Sequence, residues 1–205
     1  MAINVNPNRM ELLQLKRKQQ VAVRGHKLLK DKLEGLLKDF MDIVKEYKGL
    51  RNEVDNELSE LFHHLILASA SMQKQAYLTA LSFPQCQVKL QVEEKLLMNV
   101  RIPEFNFTIE GNMLSYSFDS TNYDLDEAMG KMKVMVAKMV KLAELEKTIE
   151  LVSAEIEKTR RRVNALEYIL IPQQQEAIRY ISSKLDELER SNITRLMKIK
   201  DMLRM

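Results

Sequence analysis

LEGLLKDFMDIVKEYKGLRNEVDNELSELFHHLILASASM, residues 33–72, decides the fold. Within it Leu33, Phe40, Tyr47, Val54, Leu61 and Ala68 recur at every seventh position, and Leu37, Val44, Arg51, Leu58, Leu65 and Met72 form a second series. The two series are offset by four and then three residues, which is the a/d seam of a coiled coil. Arg51 is the one charged member and reads as a register pin that costs stability. Upstream the seam drifts through Leu12, Leu15, Ala22, His26 and Leu29, as it does along an untwisting helix. Asn6 and Pro7 have the chemistry of an N-cap and a first helical residue. Phe83-Pro84 is the expected stop, because the residue before a proline is pushed out of the α region.

A second helix is predicted after the capping and turn cluster Ser120-Thr121-Asn122-Tyr123-Asp124. Met135, Leu142, Ile149, Ile156, Val163, Leu170 and Ala177 repeat at spacing seven, with Leu145, Val152, Thr159 and Leu166 as the second series. Ile178, Ile181, Leu185, Leu188, Leu196, Ile199 and Leu203 carry the stripe onward. Pro172 removes one helical donor and crowds the preceding turn, so a bend or local loosening is expected there. At about 1.5 Å per residue each helix would span roughly 110 Å. Folded back antiparallel, residue i would face roughly residue 205 − i, by the rule that the two helix ends near the middle sit together.

Between the helices the period changes. Val88, Leu90 and Val92 alternate with polar residues, and Met98, Val100 and Ile102 alternate with Asn99 and Arg101. Alternation of two predicts short strands within 88–102, with Glu93-Glu94-Lys95 as the turn, Pro103 closing the second strand and Glu110-Gly111-Asn112 marking another turn. The predicted fold is therefore all-α: a long antiparallel two-helix coiled coil with a small β-hairpin cap in the middle of the chain. Its parts are an N-terminal long helix, 1–83, a cap, 84–120, and a C-terminal long helix, 121–205.

Composition agrees. Only 5 Gly and 4 Pro in 205 residues leave too few turns for a β sandwich or a layered α/β enzyme. Charged residues at 30% against 6% aromatics suit solvated helices with narrow seams. A net charge of +3 is too small to argue for nucleic acid by itself. A lone Cys86 excludes an intrachain disulfide and fits a reducing compartment. No apolar run approaches the roughly 18 residues of a membrane-spanning helix, and the first residues lack a secretory apolar stretch.

Motifs for chemistry are absent. Gly130-Lys131 is followed by Met132, and Leu125 stands where a phosphate-binding loop needs its first glycine. His63 and His64 are adjacent, so on a helix they diverge and read as solvated surface, whereas His26 falls in the seam as a core or interface contact. Cys86 has no neighbour that would lower its pKa and reads as inert. No catalytic, cofactor-binding or metal-binding residue is expected. Met129, Met132, Met135 and Met139 share one face, either as core filler or as an adaptable contact surface. Positive charge gathers in Arg9, Lys16, Arg17, Lys18, Arg24, Lys27, Lys30 and Lys32, and again in Lys198, Lys200 and Arg204. With both termini together this makes a basic tip. No aromatics interleave with these charges, which weakens a nucleic-acid reading. Lys158-Thr159-Arg160-Arg161-Arg162 is a further basic run, which the 205 − i rule sets opposite Asp39, Asp42 and Glu46 as interhelical pairs.

Three blocks then carry a resemblance. Residues 6–12 (NPNRMEL), 24–32 (RGHKLLKDK) and 157–168 (EKTRRRVNALEY) closely resemble the D subunit of the vacuolar/archaeal-type rotary ATPases, bacterial or archaeal form, in the same order. The resemblance implies a non-catalytic central rotor shaft that transmits torque between a catalytic A/B ring and a membrane ring moving protons or sodium ions. It implies no cofactor. The implied partners are the A and B subunits of the ring, a small F subunit of the rotor and a stalk subunit linking to the membrane ring. Nucleic acid and direct membrane insertion are not implied, and the place would be peripheral, on the cytoplasmic face of the membrane. At the family's motif positions, Arg9, Met10, Lys16, Arg24, His26, Lys30, Arg160, Arg161, Arg162, Lys198 and Met202 are the expected partner-interface residues. The competing reading is a prefoldin-like helical-hairpin chaperone or coiled-coil adaptor, which should end in an exposed apolar tip. A nucleic-acid-binding coiled coil is third and predicts affinity that falls steeply with salt.

Overall fold

The computed structural model describes residues 6–83, 85–112, 114–117, 119 and 121–203. The roles expected of Pro84, Ser120 and Arg204 lie outside the described residues. Helix α1 runs Arg9–Ser71 and α2 runs Lys74–Ser82; strands β1, Gln85–Leu97, and β2, Val100–Asn112, follow. Helix α3 is Tyr123–Ala165, a π-helical turn occupies Leu166–Leu170, and α4 is Ile171–Leu203. Long helices with one two-stranded antiparallel hairpin between them are thus the architecture the periodicity predicts. The chain divides into two compact units, one of 1–35 with 156–205 and one of 36–155.

In the unit 36–155, α1 and α3 run antiparallel. Val54, Leu61 and Met135 form a buried cluster, with Leu50, Leu58, Leu65 and Met132 packed around it. Val54, Leu61 and Ala68 are the predicted heptad members, and Leu145 and Val152 of α3 are buried as well. Ion pairs flank the apolar contact: Glu60 meets Lys131 at 3.4 Å, Glu46 meets Lys141 at 3.2 Å, and Lys138 reaches both Glu57 and Glu53. Arg51 is no interhelical pin. Its Nε donates to Asp55 one turn along the same helix at 3.2 Å, and its guanidinium also reaches the Tyr47 hydroxyl. A long guanidinium stem reaches solvent from the edge of the seam, so the position need not hold a buried charge.

In the unit 1–35 with 156–205, Val163, Ala177 and Ile181 are buried. Arg9 pairs with Glu189, and His26 Nε2 lies 3.4 Å from Glu167. In both units the numbers of facing residues add to between 187 and 198, not 205. The cause is the end of α1, which stops at Ser71 and not at Phe83. Ser71 Oγ turns back onto the carbonyls of Leu67 and Ala68, and Asn122 Nδ2 donates to that hydroxyl at 2.8 Å. Such a back-bonded serine competes with helix continuation, and Gln73 is extended (φ −65°, ψ 131°) before α2 begins. The corrected register puts Arg160–Arg162 level with residues near 31–33. Arg161 pairs with Glu157 on its own helix, Asp42 with Lys45, and Glu46 with Lys141. At the other end Leu12 N–H donates to Asn8 O, so Asn8, not Asn6, stands at the N-cap.

The hairpin turns at Met98-Asn99, not at Glu93-Glu94-Lys95. Both residues have positive φ (45° and 69°), as a two-residue primed turn demands. Leu97 faces Val100, and the register runs unbroken to Gln85 opposite Asn112. Pro103 therefore sits inside β2, which it was expected to close. Counting outward from the turn, alternate pairs exchange hydrogen bonds, and the Glu94–Pro103 pair falls between them. The missing N–H of Pro103 points to the free edge, where nothing is lost. Two residues on, the outward N–H of Phe105 is taken by Glu144 of α3 at 3.0 Å, which ties β2 to the helix. Gly111 lies in β2 rather than in a turn; its φ of +100° and the 2.1 Å that would separate a Cβ from Gln85 O require glycine there.

Pro172 does disturb its helix. Ile171 N–H donates to Leu166 O, five residues back, and the turn before the proline widens to π. At this turn Leu170, the expected seam residue, is exposed and its neighbour Ile171 is half-buried, while Ala177, the next member of the series, is buried.

Candidate functional site

The positions singled out for partner contact all fall in the unit 1–35 with 156–205. From α1, Arg9, Met10, Lys16, Arg24 and Lys30 face solvent, and His26 is half-buried beside Glu167. Arg160, Arg161 and Arg162 are exposed between buried Thr159 and Val163. The two buried side chains are four positions apart, about one helical turn, so the three arginines between them fill the outward arc of that turn. Lys198 and Met202 are exposed on α4.

The end of α4 departs from the sequence reading. Every residue from Asp186 to Leu203 is exposed, including Leu188, Ile193, Leu196, Met197, Ile199, Met202 and Leu203. Leu188, Leu196, Ile199 and Leu203 were expected in the seam, yet Leu203 retains 83% of its accessible surface. The spacing predicted an amphipathic helix correctly but could not say what covers it. Glu187, Arg190, Ser191, Thr194, Arg195 and Lys198 line a shallow groove along the same segment, so basic and apolar side chains occupy one helix end. Lys184 hydrogen-bonds the Glu187 carboxylate and lowers its pKa from the ordinary value. At the π turn Tyr168, Ile169 and Leu170 are also exposed, a second apolar surface that the sequence reading did not single out.

The unit 36–155 holds the remaining motifs. Gly130 and Lys131 lie within α3, where the backbone amides are already spent on helix bonds. Met135 is buried, Met132 packs against it and Met129 is half-buried, so these fill core; Met139 is exposed. His63 is exposed as expected. His64 is not: it is half-buried, with Nε2 3.1 Å from Lys131 Nζ. Tyr116 donates to Asp126 at 2.7 Å, and burial together with that carboxylate pushes the phenol pKa up. Among the described residues no cluster of three or more His, Cys, Asp or Glu could hold a metal ion, and no helix is long and apolar enough to cross a membrane.

The chain is similar to known proteins along almost its whole length. The family model for the ATP synthase D subunit matches residues 11–201. The V-type ATP synthase D subunit of Acetivibrio thermocellus is 48% identical over 205 residues, which cover 98% of this chain and 92% of the relative. The protein of the same name from Thermoanaerobacter pseudethanolicus is 47% identical, covering 98% and 97%. That of Fusobacterium nucleatum is 46% identical, with the same coverage.

Proposed function

The chain belongs to the ATP synthase D-subunit family, and from that premise we propose that it is the central rotor shaft of a V-type ATP synthase. As the D subunit it is one component of that multi-subunit complex, which couples ATP synthesis to ion transport. The proposal adds that it catalyses nothing, sits peripherally on the cytoplasmic face of the membrane, and passes torque between the A/B ring and the membrane ring. Segments 1–83 and 121–205 form the shaft and 84–120 its cap. The small F subunit of the rotor and the stalk subunit are its other contacts.

The observation that supports this most is the exposed end of α4. Leu, Ile and Met side chains left in water over several turns mark a surface that a partner covers. Arg190, Arg195, Lys198 and Lys200 beside them suit a wall with acidic or carbonyl-rich surface. An axle without the symmetry of its ring meets each catalytic site differently, and those differential contacts shift the population of each site. A prefoldin-like chaperone also calls for apolar side chains at its tip, but family membership over residues 11–201 decides against it.

Co-purification tests the proposal. A tagged copy expressed with its native neighbours is expected to bring down the catalytic A and B subunits, the F subunit and the stalk subunit. Replacing Leu196 and Met197 by Glu should weaken ring recovery while leaving the F subunit bound. Recovery of the chain alone, or with client polypeptides only, would overturn it.

A further inference from the structure

Near the paired ends of α1 and α3 in the unit 36–155, one histidine is held in an incomplete hydrogen-bond arrangement. His64 Nε2 lies 3.1 Å from Lys131 Nζ. An ammonium can only donate, so Nε2 accepts and the ring proton sits on Nδ1. That Nδ1 is buried and has no hydrogen-bond partner. A carboxylate oxygen, Asp124 Oδ1, is 3.9 Å away, beyond hydrogen-bond reach. The neutral ring therefore leaves a buried donor unpaired with a carboxylate just out of range.

The charges around it favour a second arrangement. From α1 the ring meets the edge of His63, and from α3 it meets Asp124 and Lys131, whose ammonium in turn draws Glu60 and Glu127 close to it. Lys131 already has two carboxylates within reach, Glu60 at 3.4 Å and Glu127 at 3.9 Å, so it can leave His64 without losing its counter-charges. Asp124 is wired to the end of α1: Asn122 Nδ2 donates both to Asp124 Oδ2 and to Ser71 Oγ.

We propose that His64 is a proton-operated latch at the α1–α3 junction. Neutral, it accepts from Lys131 and stands off Asp124. A proton from solvent adds to Nε2, which then can no longer accept from the ammonium; Lys131 swings to Glu60 and Glu127. The imidazolium Nδ1–H closes on Asp124, and through Asn122 the closure tightens the joint at Ser71. Protonation of the ring thus stiffens this end of the helical pair. The latch belongs to the chain itself and stands or falls independently of the rotor assignment.

The test is nitrogen NMR of the ¹⁵N-histidine-labelled full chain, with His26→Gln and His63→Gln to assign the signals. At pH 8, His64 is expected as the Nδ1–H tautomer, the minor form of free imidazole. Once acidification has protonated both nitrogens, as their shifts report, amide protection at 122–125 is expected to rise about fivefold, the scale of one partly exposed ion pair. Asp124→Asn should keep the tautomer at pH 8 and reduce the acid gain below about twofold. Lys131→Met should release the tautomer to Nε2–H. An Nε2–H tautomer in the wild-type chain at pH 8 would overturn the latch, and so would an undiminished acid gain in Asp124→Asn. The tautomer reading needs no variant of the latch itself, so a misfolded Asp124→Asn cannot shield the proposal.

Discussion

The stretch of α1 around Leu61 and the end of α4 around Leu196 carry the same residue types, leucine, isoleucine and methionine at helical spacing, between charged neighbours. Leu61 is 1% exposed and Leu196 is 66% exposed. Leu61 packs in a cluster with Met135 of the antiparallel helix, flanked by Lys131 and Lys138 paired to glutamates. Leu196 has no intrachain cover among the described residues. Periodicity thus reports that a face is apolar, and burial reports whether its partner is part of the same chain.

The largest effects are expected where the cover is internal. Leu61→Ala should destabilise the isolated chain by about 2–4 kcal/mol, from lost transfer energy and the cavity left behind. Leu196→Ala should change it by no more than about 0.5 kcal/mol, the size of a surface substitution. Urea unfolding of both variants checks the contrast directly; equal losses would mean that the end of α4 is covered within the chain.

Next in size are the two backbone positions that hold the hairpin. Gly111→Ala puts a methyl 2.1 Å from Gln85 O at a φ of +100°, and should open the strand end by about 1–3 kcal/mol. Asn99→Val places a β-branched residue at positive φ and should cost a comparable amount. Hydrogen exchange should show both losses confined to β1 and β2, with α4 unaffected.

Smaller again is the response of the π turn. Pro172→Ala restores a donor and should raise amide protection across 166–176 without moving the unfolding midpoint by more than about 1 kcal/mol equivalent. An unchanged exchange pattern would mean that something other than the proline widens that turn.

The smallest effect concerns alkaline pH. The Tyr116 phenol has its folded pKa raised, first by burial and then by Asp126, and Lys138 is raised chiefly by its hydrogen bond to Glu57. Both groups hold their proton more tightly when folded. Their contribution is complete below the unfolded pKa and is lost as pH rises through the folded one. Melting scans above pH 10 should therefore fall less steeply in Tyr116→Phe than in the parent chain.

Much of the helical pair was legible because burial obeys the heptad: Val54, Leu61, Ala68, Val152 and Val163 are all where the pattern puts them. The perturbation at Pro172 was legible too, since the missing donor is a local fact. The break after Ser71 was not, because neither glycine nor proline marks it and a serine hydroxyl competes through its own backbone. That missed break shifted the register and with it the partners assigned to Arg160–Arg162. The hairpin turn escaped because Met98 is an unusual residue at positive φ, and Pro103 misled because a two-stranded sheet tolerates proline on its outward edge. His64 escaped because its surroundings come from another helix 60 or more residues away, Lys131 and Asp124.

Rotation is the central claim, and one cross-link tests it most directly. Cys86 is replaced by Ser, Met202 by Cys, and a second cysteine is set on the facing wall of one catalytic subunit. A disulfide needs Cα atoms within about 7 Å, so it forms only while that subunit faces the helix end. Oxidation of the assembled complex is predicted to stop steady ATP turnover, and reduction to restore it, with all subunits retained in both states. Undiminished turnover after near-complete cross-linking, here and at a second site further from the helix end where the helix cannot unwind or slip, would contradict a rotating shaft and indicate a static adaptor.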